Sequence, residues 1–205
     1  MNDLTRNSDS ESLANLAIDP EVLAKELAAE IDGDPLDDMG LDDFASDGEN
    51  ANQECEKGLS WLQQGHEERL QGLRVFCEYR DPRSLPLLVP LLQEPCPVER
   101  MSAVYALGRN PCSRAVHILI HMLTHDSNAY VRRATAWSLG NYASEPVLQP
   151  LVQSLQKDVA AVRLWASSSL AEIGSSSEEK AEFASKELLI SLKIDVEPGV
   201  RSNCI

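Results

Sequence analysis

Arginines recur along this sequence at a nearly constant spacing, and their guanidinium groups are the first candidates for chemistry. Arg69, Arg100, Arg132, Arg163 and Arg201 are separated by 31, 32, 31 and 38 residues. An acidic residue precedes each of the last four by five or six positions. Because a guanidinium can bind both oxygens of a carboxylate, the pattern predicts a ladder of ion pairs, formed within one layer of a repeated structure or between adjacent layers.

Other arginines and two tryptophans lie close to this series and indicate a second role, which is contact with a partner. Arg109 and Arg133 are extra to the series, and Trp together with Arg is typical of protein contact patches. The alternative for Trp137 and Trp165 is that one or both lie in the core. The residues predicted to bind a partner are Tyr105, Arg109, Arg132, Arg133, Trp137, Asn141, Arg163 and Trp165.

Three histidines, His117, His121 and His125, are spaced four residues apart and would lie along one face of a helix. Such a face is a weak candidate for zinc, with Cys112 or Asp126 as a further ligand. A solvated polar face explains the same spacing, and we predict no metal and no cofactor. No catalytic residues are predicted, since the sequence has neither a glycine-rich phosphate loop nor a Gly-x-Ser-x-Gly motif.

A repeated unit must position these side chains. The stretch Val131–Gly140 has altered copies at 99–108 and 162–171, and a fourth copy begins at Val200. A period near 31 residues without a strand pattern predicts one pair of helices per unit. The repeated stretch is the second helix of each pair. The first helices are predicted at 85–92, 115–123 and 147–155, where leucines four residues apart share one face.

We therefore predict an all-α protein, an α-solenoid of four to five layers over residues 57–205. The predicted units are 58–80, 81–110, 111–142, 143–174 and an incomplete 184–205. Gly108 and Gly140 are expected to end second helices as left-handed caps. Residues 175–183 are expected to form a loop extension that accounts for the longest spacing.

The first 56 residues differ in composition from the rest. They hold 17 Asp and Glu against only Arg6 and Lys25, so this segment carries the whole net charge of −15. We expect a mostly disordered acidic tail with a short helix near 20–31. Its alternative role is a docking motif that binds a partner or the array's own basic surface, with the apolar residues Leu23, Leu27, Ile31, Leu36, Leu41 and Phe44.

The charge and the cysteines indicate which partners and which cellular compartment to expect. A tail this acidic argues against nucleic acid as a partner, and no apolar run is long enough to predict a membrane span. The five cysteines are an odd number and include no Cys-x-x-Cys pair. With no signal peptide at the start of the sequence, reduced thiols in the cytoplasm are the simplest prediction.

The pattern Asp81-Pro82-Arg83-x-Leu85-x-Leu87 followed by Val-Arg-x-x-Ala-x-x-x-Leu-Gly resembles the short HEAT-like repeats of the phycobilisome-lyase type. Three segments, 105–111, 130–141 and 161–168, are similar to a cyanobacterial HEAT-repeat protein that partners an A-type iron–sulfur carrier. In that family the second helices line the concave side of the array, and further repeats follow. The resemblance implies a partner surface there, which would include the arginines and aromatic residues named above.

Two functions follow from the resemblance. The first is a non-catalytic scaffold that holds a protein client on the concave face, such as an iron–sulfur carrier or a photosynthetic assembly client. The alternative is a subunit of a phycobilin lyase, an enzyme that would pair with a second HEAT-repeat chain and hold a tetrapyrrole. His66-Glu67 is similar to the pairs that hold two irons in HEAT-repeat hydroxylases. Those enzymes need several such pairs, which argues against that activity here.

Overall fold

A computed structural model describes residues 48–142 and 146–205 of the chain. Within these ranges all regular secondary structure is helical. A 3-10 helix, Pro82–Ser84, precedes α3. The α-helices are α1 Gly48–Trp61, α2 His66–Glu78, α3 Leu85–Leu91, α4 Pro97–Arg109, α5 Ser113–His125, α6 Ala129–Leu139, α7 Leu148–Lys157, α8 Ala160–Gly174, α9 Glu178–Ile194 and α10 Pro198–Ser202. The predicted tail helix and the docking residues Leu23, Leu27, Ile31, Leu36, Leu41 and Phe44 lie outside the described residues.

The helices form five antiparallel pairs that stack into two rows. The second helices α2, α4, α6, α8 and α10 each pack against the next one in the row. The first helices α1, α3, α5, α7 and α9 each pack against their own second helix, and α5, α7 and α9 also contact one another in sequence. This is the α-solenoid of four to five layers that the repeat period predicts.

Leucines at repeated positions form the core between the rows. Phe76, Leu107, Leu139 and Leu170 each lie seven residues after a ladder arginine, and all four are fully buried. The first helices α5 and α7 contribute leucines spaced four apart, which are buried as their common face predicts. Burial of this kind stabilises each layer by about 25 cal/mol for every Å² of apolar surface removed from water.

Two of the sequence predictions about where and how the second helices end are wrong. Gly140 follows α6 with φ −57° and ψ −27°, which is right-handed helical backbone, and Gly108 lies inside α4. Both glycines are required by close packing instead. A Cβ on Gly108 would collide with the ring of Trp137, and one on Gly140 would lie 2.8 Å from Ser169 Oγ. Packing against the next layer therefore requires glycine at both positions. The cause lies in the tertiary structure and not in the backbone conformation.

Two helices extend beyond the predicted unit boundaries. The prediction of a loop over 175–183 is wrong for residues 178–183, because α9 begins at Glu178. Ser177 accepts a hydrogen bond from the N–H of Lys180 and so caps this helix. At the other end, α1 begins at Gly48, inside the segment predicted as tail. Two of its acidic residues are paired, Glu54 with Lys57 and Glu56 with Arg83.

The arginine ladder connects each layer to the next. In three successive layers the Nε and Nη2 of the arginine donate to both oxygens of an aspartate in the following layer, at 2.8–3.0 Å. These pairs are Arg100–Asp126, Arg132–Asp158 and Arg163–Asp195. The predicted ladder is confirmed. The sequence left open whether each arginine binds a carboxylate of its own layer or of the next layer, and the structure shows that it belongs to the next layer.

The third donor of each arginine holds the loop of its own layer. Nη1 of Arg100 donates to the carbonyl of Glu94 at 2.9 Å, and Nη1 of Arg132 to that of Asp126 at 2.9 Å. Nη1 of Arg201 makes the same bond to the carbonyl of Asp195 at 2.8 Å. Because these carbonyls end first helices and would otherwise lack partners, one guanidinium stabilises two loops at once.

Buried polar side chains add further links between layers. Asn110 Nδ2 donates to the carbonyl of Phe76 at 3.0 Å, while its Oδ1 accepts from the N–H of Asp81 at 3.0 Å. Thirty-two positions later the hydroxyl of Tyr142 donates to the carbonyl of Leu107 at 3.0 Å. These bonds satisfy backbone groups at the ends of second helices, where an unpaired group would cost about 1–3 kcal/mol.

We expect the Asp126→Asn substitution to lower the free energy of unfolding by about 3 kcal/mol. The reason is that it leaves the guanidinium of Arg100, whose side chain is only 15% exposed, without its counter-charge. Denaturant unfolding followed by circular dichroism measures the change. The control is Glu56→Gln, which breaks an exposed pair with Arg83 and should cost at most about 1 kcal/mol. Equal losses in the two variants would contradict a structural role for the ladder.

The ladder also predicts acid sensitivity. The hydrogen bonds from Arg163 hold the pKa of Asp195 below its ordinary value of 3.8. At Asp126 burial works to raise the pKa, but the bonds from Arg100 and from the N–H of Asn128 outweigh it and lower the pKa. A lowered folded-state pKa adds stability above the ordinary value and loses it as pH falls through the folded value. The free energy of unfolding should therefore drop below about pH 4, and less steeply in Asp195→Asn.

Candidate protein-binding face

The second helices leave one side uncovered. Each of α4, α6 and α8 packs against its neighbours in the row and against its own first helix. In α6 the residues that remain partly accessible include Arg133 and Trp137, four apart, and Asn141 follows after the helix ends. The equivalent positions are Met101, Tyr105 and Arg109 in α4 and Leu164, Ser168 and Glu172 in α8, and of these Tyr105 is buried. Together with Trp165, which follows Leu164 at a different position of the repeat, they make up what we call the open face: Met101, Tyr105, Arg109, Arg133, Trp137, Asn141, Leu164, Trp165, Ser168 and Glu172.

Trp137 is the centre of the open face and joins two layers. Its ring meets the ring of Tyr105 edge-on, with centroids 5.5 Å apart and planes at 60°. The guanidinium carbon of Arg109 lies 5.9 Å from the centroid of the same tryptophan. The missing Cβ of Gly108 makes room for the ring. Trp137 is half-buried, so it packs against α4 while part of its ring remains accessible, and neither of the two predicted alternatives describes it fully.

Two arginines make the middle of this face basic. Arg109 lies beside Trp137, and the guanidinium of Arg133 lies 5.4 Å from the centroid of the Tyr130 ring. Contact with an aromatic face restricts the orientation of an arginine, which keeps its positive charge. Of the acidic residues on the second helices, Glu67, Glu68 and Glu99 lie in a first turn, and Glu78 and Glu172 lie in a last turn. The centre therefore fits an acidic segment with an apolar or aromatic residue.

Six of the eight residues predicted to bind a partner lie on α4, α6 or α8 or directly after α6, and of these Tyr105 is buried. That they bind a partner stays a prediction. Trp165 is half-buried on α8, in the layer after Trp137, and Asn141 is exposed at the end of α6. Arg132 and Arg163 differ, because both are ladder arginines with side chains only 18% and 16% exposed. Sequence reasoning missed Met101 and Leu164, which occupy the position of Arg133 in neighbouring layers. The signal that could have identified them is that Met101 and Leu164 share the position of Arg133 in the repeat.

The histidine series lies on the other row, on α5. The rings of His121 and His125 stack at 4.4 Å between centroids, and both residues are exposed, as is His117. With Leu92, Ile118 and Met122 they line a surface pocket of about 480 Å³. Among the described residues the donor cluster suited to a metal ion is formed by other side chains, His66, Cys96 and Glu99.

An α-solenoid with five stacked helix pairs and an accessible row of second helices is a repeat protein of the kind that offers an extended surface to a partner. A family model of HEAT repeats matches residues 64–140 and 116–205. The chain belongs to the HEAT-repeat family. No helix among residues 48–142 and 146–205 combines the length and apolarity needed to cross a membrane.

Solved structures with the same fold include two proteins of low sequence identity. One is the complex of CpcE and CpcF of phycocyanin lyase from Nostoc sp. PCC7120, with a TM-score of 0.60 and 18% identity over 77% of this chain and 97% of that chain. The other is a designed armadillo repeat protein in complex with a (KR)4 peptide, with a TM-score of 0.53 and 16% identity over 81% of this chain and 93% of that one. A comparison with curated protein sequences finds no match.

We expect Gly108→Ala to lower the free energy of unfolding by about 1–3 kcal/mol, because the added methyl group overlaps the Trp137 ring. In a Trp137→Ala background the same substitution should be close to neutral. Unfolding of the four proteins in the double-mutant cycle measures the coupling. Gly199→Ala is the control, since a Cβ there would lie at an ordinary 3.6 Å from Leu164. A large cost that persists without Trp137 would refute the contact.

Proposed function

We propose that this chain is a non-catalytic scaffold that binds a protein client on its open face. The observation that carries the proposal is the half-buried Trp137 between Arg109 and Arg133, in the middle of a face that spans three layers. Tryptophan and arginine dominate the binding energy of protein interfaces when they lie near the centre. A client that fits would present carboxylates to the arginines and an apolar or aromatic side chain to the tryptophan.

The resemblance observed in the sequence indicates which class of client protein should be tested first. The segments 105–111, 130–141 and 161–168, which are similar to the partner of an A-type iron–sulfur carrier, lie in or next to α4, α6 and α8. They contribute most of the open face. An A-type iron–sulfur carrier is therefore the client we propose to test first, followed by proteins of photosynthetic assembly. The array would position or shield such a client.

Charge reversal on the open face tests this function. We expect Arg133→Glu to weaken the binding of a purified A-type iron–sulfur carrier by at least about tenfold, which corresponds to 1.4 kcal/mol. Isothermal titration calorimetry measures the affinity, and a thermal melt establishes that the variant is folded. The matched control is Arg114→Glu, an exposed arginine on the first helix α5. Unchanged binding in Arg133→Glu together with weakened binding in Arg114→Glu would move the client to the first-helix row.

The acidic N-terminal segment provides a candidate regulator of the same face. We propose that its excess of carboxylates competes with the client for Arg109 and Arg133. Because α1 begins at Gly48, the deletion that leaves the array intact is 1–46. Client affinity should rise on deletion, and the gain should shrink as salt increases from about 0.05 to 0.5 M. Equal affinity of the two chains at low salt would refute the competition.

The second candidate function is a subunit of a phycobilin lyase. The likeness to the CpcE and CpcF complex favours it, and that complex also pairs two chains. In this function the arginines would bind the propionates of a tetrapyrrole and Trp137 would lie against its rings. Titration of the protein with a bilin, with and without a second HEAT-repeat chain, is followed by absorbance. No shift in either case would exclude this candidate.

A further inference from the structure

We propose that His66, Cys96 and Glu99 form a binding site for a zinc ion between the first two layers. One donor atom from each of the three side chains lies within 4.8 Å of the other two. His66 is the first residue of α2, and Cys96 and Glu99 lie at the N-terminal end of α4. Nitrogen, sulfur and oxygen donors in this number are a set that zinc accepts. The proposal is independent of the client.

The first reason is that Glu99 breaks the repeat at a buried position. The residue before the ladder arginine is Val131, Val162 or Val200 in the later layers, and each of these valines is at most 1% exposed. In the second layer the same position holds Glu99, whose side chain is 2% exposed. A buried carboxylate is costly unless it is paired or binds a metal. Arg69 pairs with Glu99 across the first two layers at 2.8 Å, but the later layers make this link with an aspartate and keep valine at this position, so stacking alone does not require a carboxylate here.

The second reason is the position of Cys96, directly before α4. Among the described second helices only α6 has a capping side chain, so the residue before α4 is not required for capping. In the third layer Asn128 occupies the position before the helix, and its Oδ1 accepts hydrogen bonds from the N–H groups of Tyr130 and Val131. Cys96 occupies this position before α4 and makes no such cap. The thiol of Cys96 is therefore not engaged in capping α4, and it lies beside His66 and Glu99 as a third donor for a metal.

The third reason is the surroundings of the cluster, which contacts Arg69 on one side and is accessible to solvent at His66. Nδ1 of His66 lies 3.1 Å from Oε1 of Glu99, and Nε of Arg69 donates to the same oxygen at 2.8 Å. A hydrogen bond to a ligating carboxylate is typical of the groups that surround metal ligands. The side chain of His66 is 52% exposed, so a water molecule can reach the ion as fourth ligand.

The negative charge of the ligands must outweigh the positive charge of Arg69 if the site is to bind a cation. The arginine and the positive ends of two helices oppose the ion. The carboxylate of Glu99 and the thiolate of Cys96 contribute two negative charges, and the thiol proton is released when the metal binds. The ion would add a second link between the start of α2 and the start of α4, beside the single hydrogen bond from Arg69 to Glu99. In the later layers a bidentate arginine–aspartate pair connects the layers.

Titration of the full chain with Zn²⁺ against a chromophoric chelator tests the site, and Co²⁺ serves as a spectroscopic probe of thiolate ligation. We expect one Zn²⁺ per chain, and a near-ultraviolet charge-transfer band with Co²⁺. Cys96→Ser should weaken Zn²⁺ binding at least about tenfold and remove the band. The matched control is Cys112→Ser, because Cys112 is also half-buried and also precedes a helix. It should leave both readouts unchanged.

A second variant separates loss of the site from loss of the fold. Glu99→Val places in the second layer the residue that the later layers already hold, so the array should remain folded by circular dichroism. Zn²⁺ should raise the melting temperature of the unmodified chain and leave that of Glu99→Val unchanged. The proposal is overturned if the unmodified chain binds no Zn²⁺ at micromolar concentration, or if Cys96→Ser or Glu99→Val binds it as the unmodified chain does.

Discussion

The stacking of this protein depends on one interaction, a guanidinium that binds the carboxylate of the following layer and a carbonyl of its own. Each of Arg100, Arg132 and Arg163 holds both oxygens of an aspartate at 2.8–3.0 Å. These side chains are largely buried, so the bonds are screened little by solvent. Apolar packing between helices is tolerant of small slides, whereas a bidentate ion pair accepts one position. The ladder therefore sets the register in which the layers stack.

The constancy of this interaction explains which parts of the repeat vary in length. The arginine and its aspartate are 26 residues apart in two of the pairs and 32 apart between Arg163 and Asp195. The additional residues lengthen α9, a first helix of 17 residues. Because a first helix can grow at its start without moving the loop that carries the aspartate, the distances in the ion pair remain the same. Extra length is accommodated where the ladder does not constrain the chain.

The open face is a consequence of the same arrangement. Since the ladder engages Arg132 and Arg163, the arginines of this face that lie outside the series are Arg109 and Arg133. The aromatic residues between them are held by packing across layers, and Gly108 permits it by leaving room for the Trp137 ring. For the proposed client, a surface supported in this way reduces the entropy that binding must offset.

The sequence by itself determined the class of fold, the helix pairs and the candidate arginines, because these depend on periodicity, which is a local property of the chain. It also marked the open face, since residues four apart on a helix share a side. It did not predict why Gly108 and Gly140 are glycines, where α1 and α9 begin, or that His66 would lie 3.1 Å from Glu99 rather than act with its neighbour Glu67. The two glycines and the His66–Glu99 contact depend on atoms that stacking brings from another layer about thirty residues away, so they required the folded structure. The start of α9 depends on the local cap Ser177, a signal that the sequence interpretation did not use.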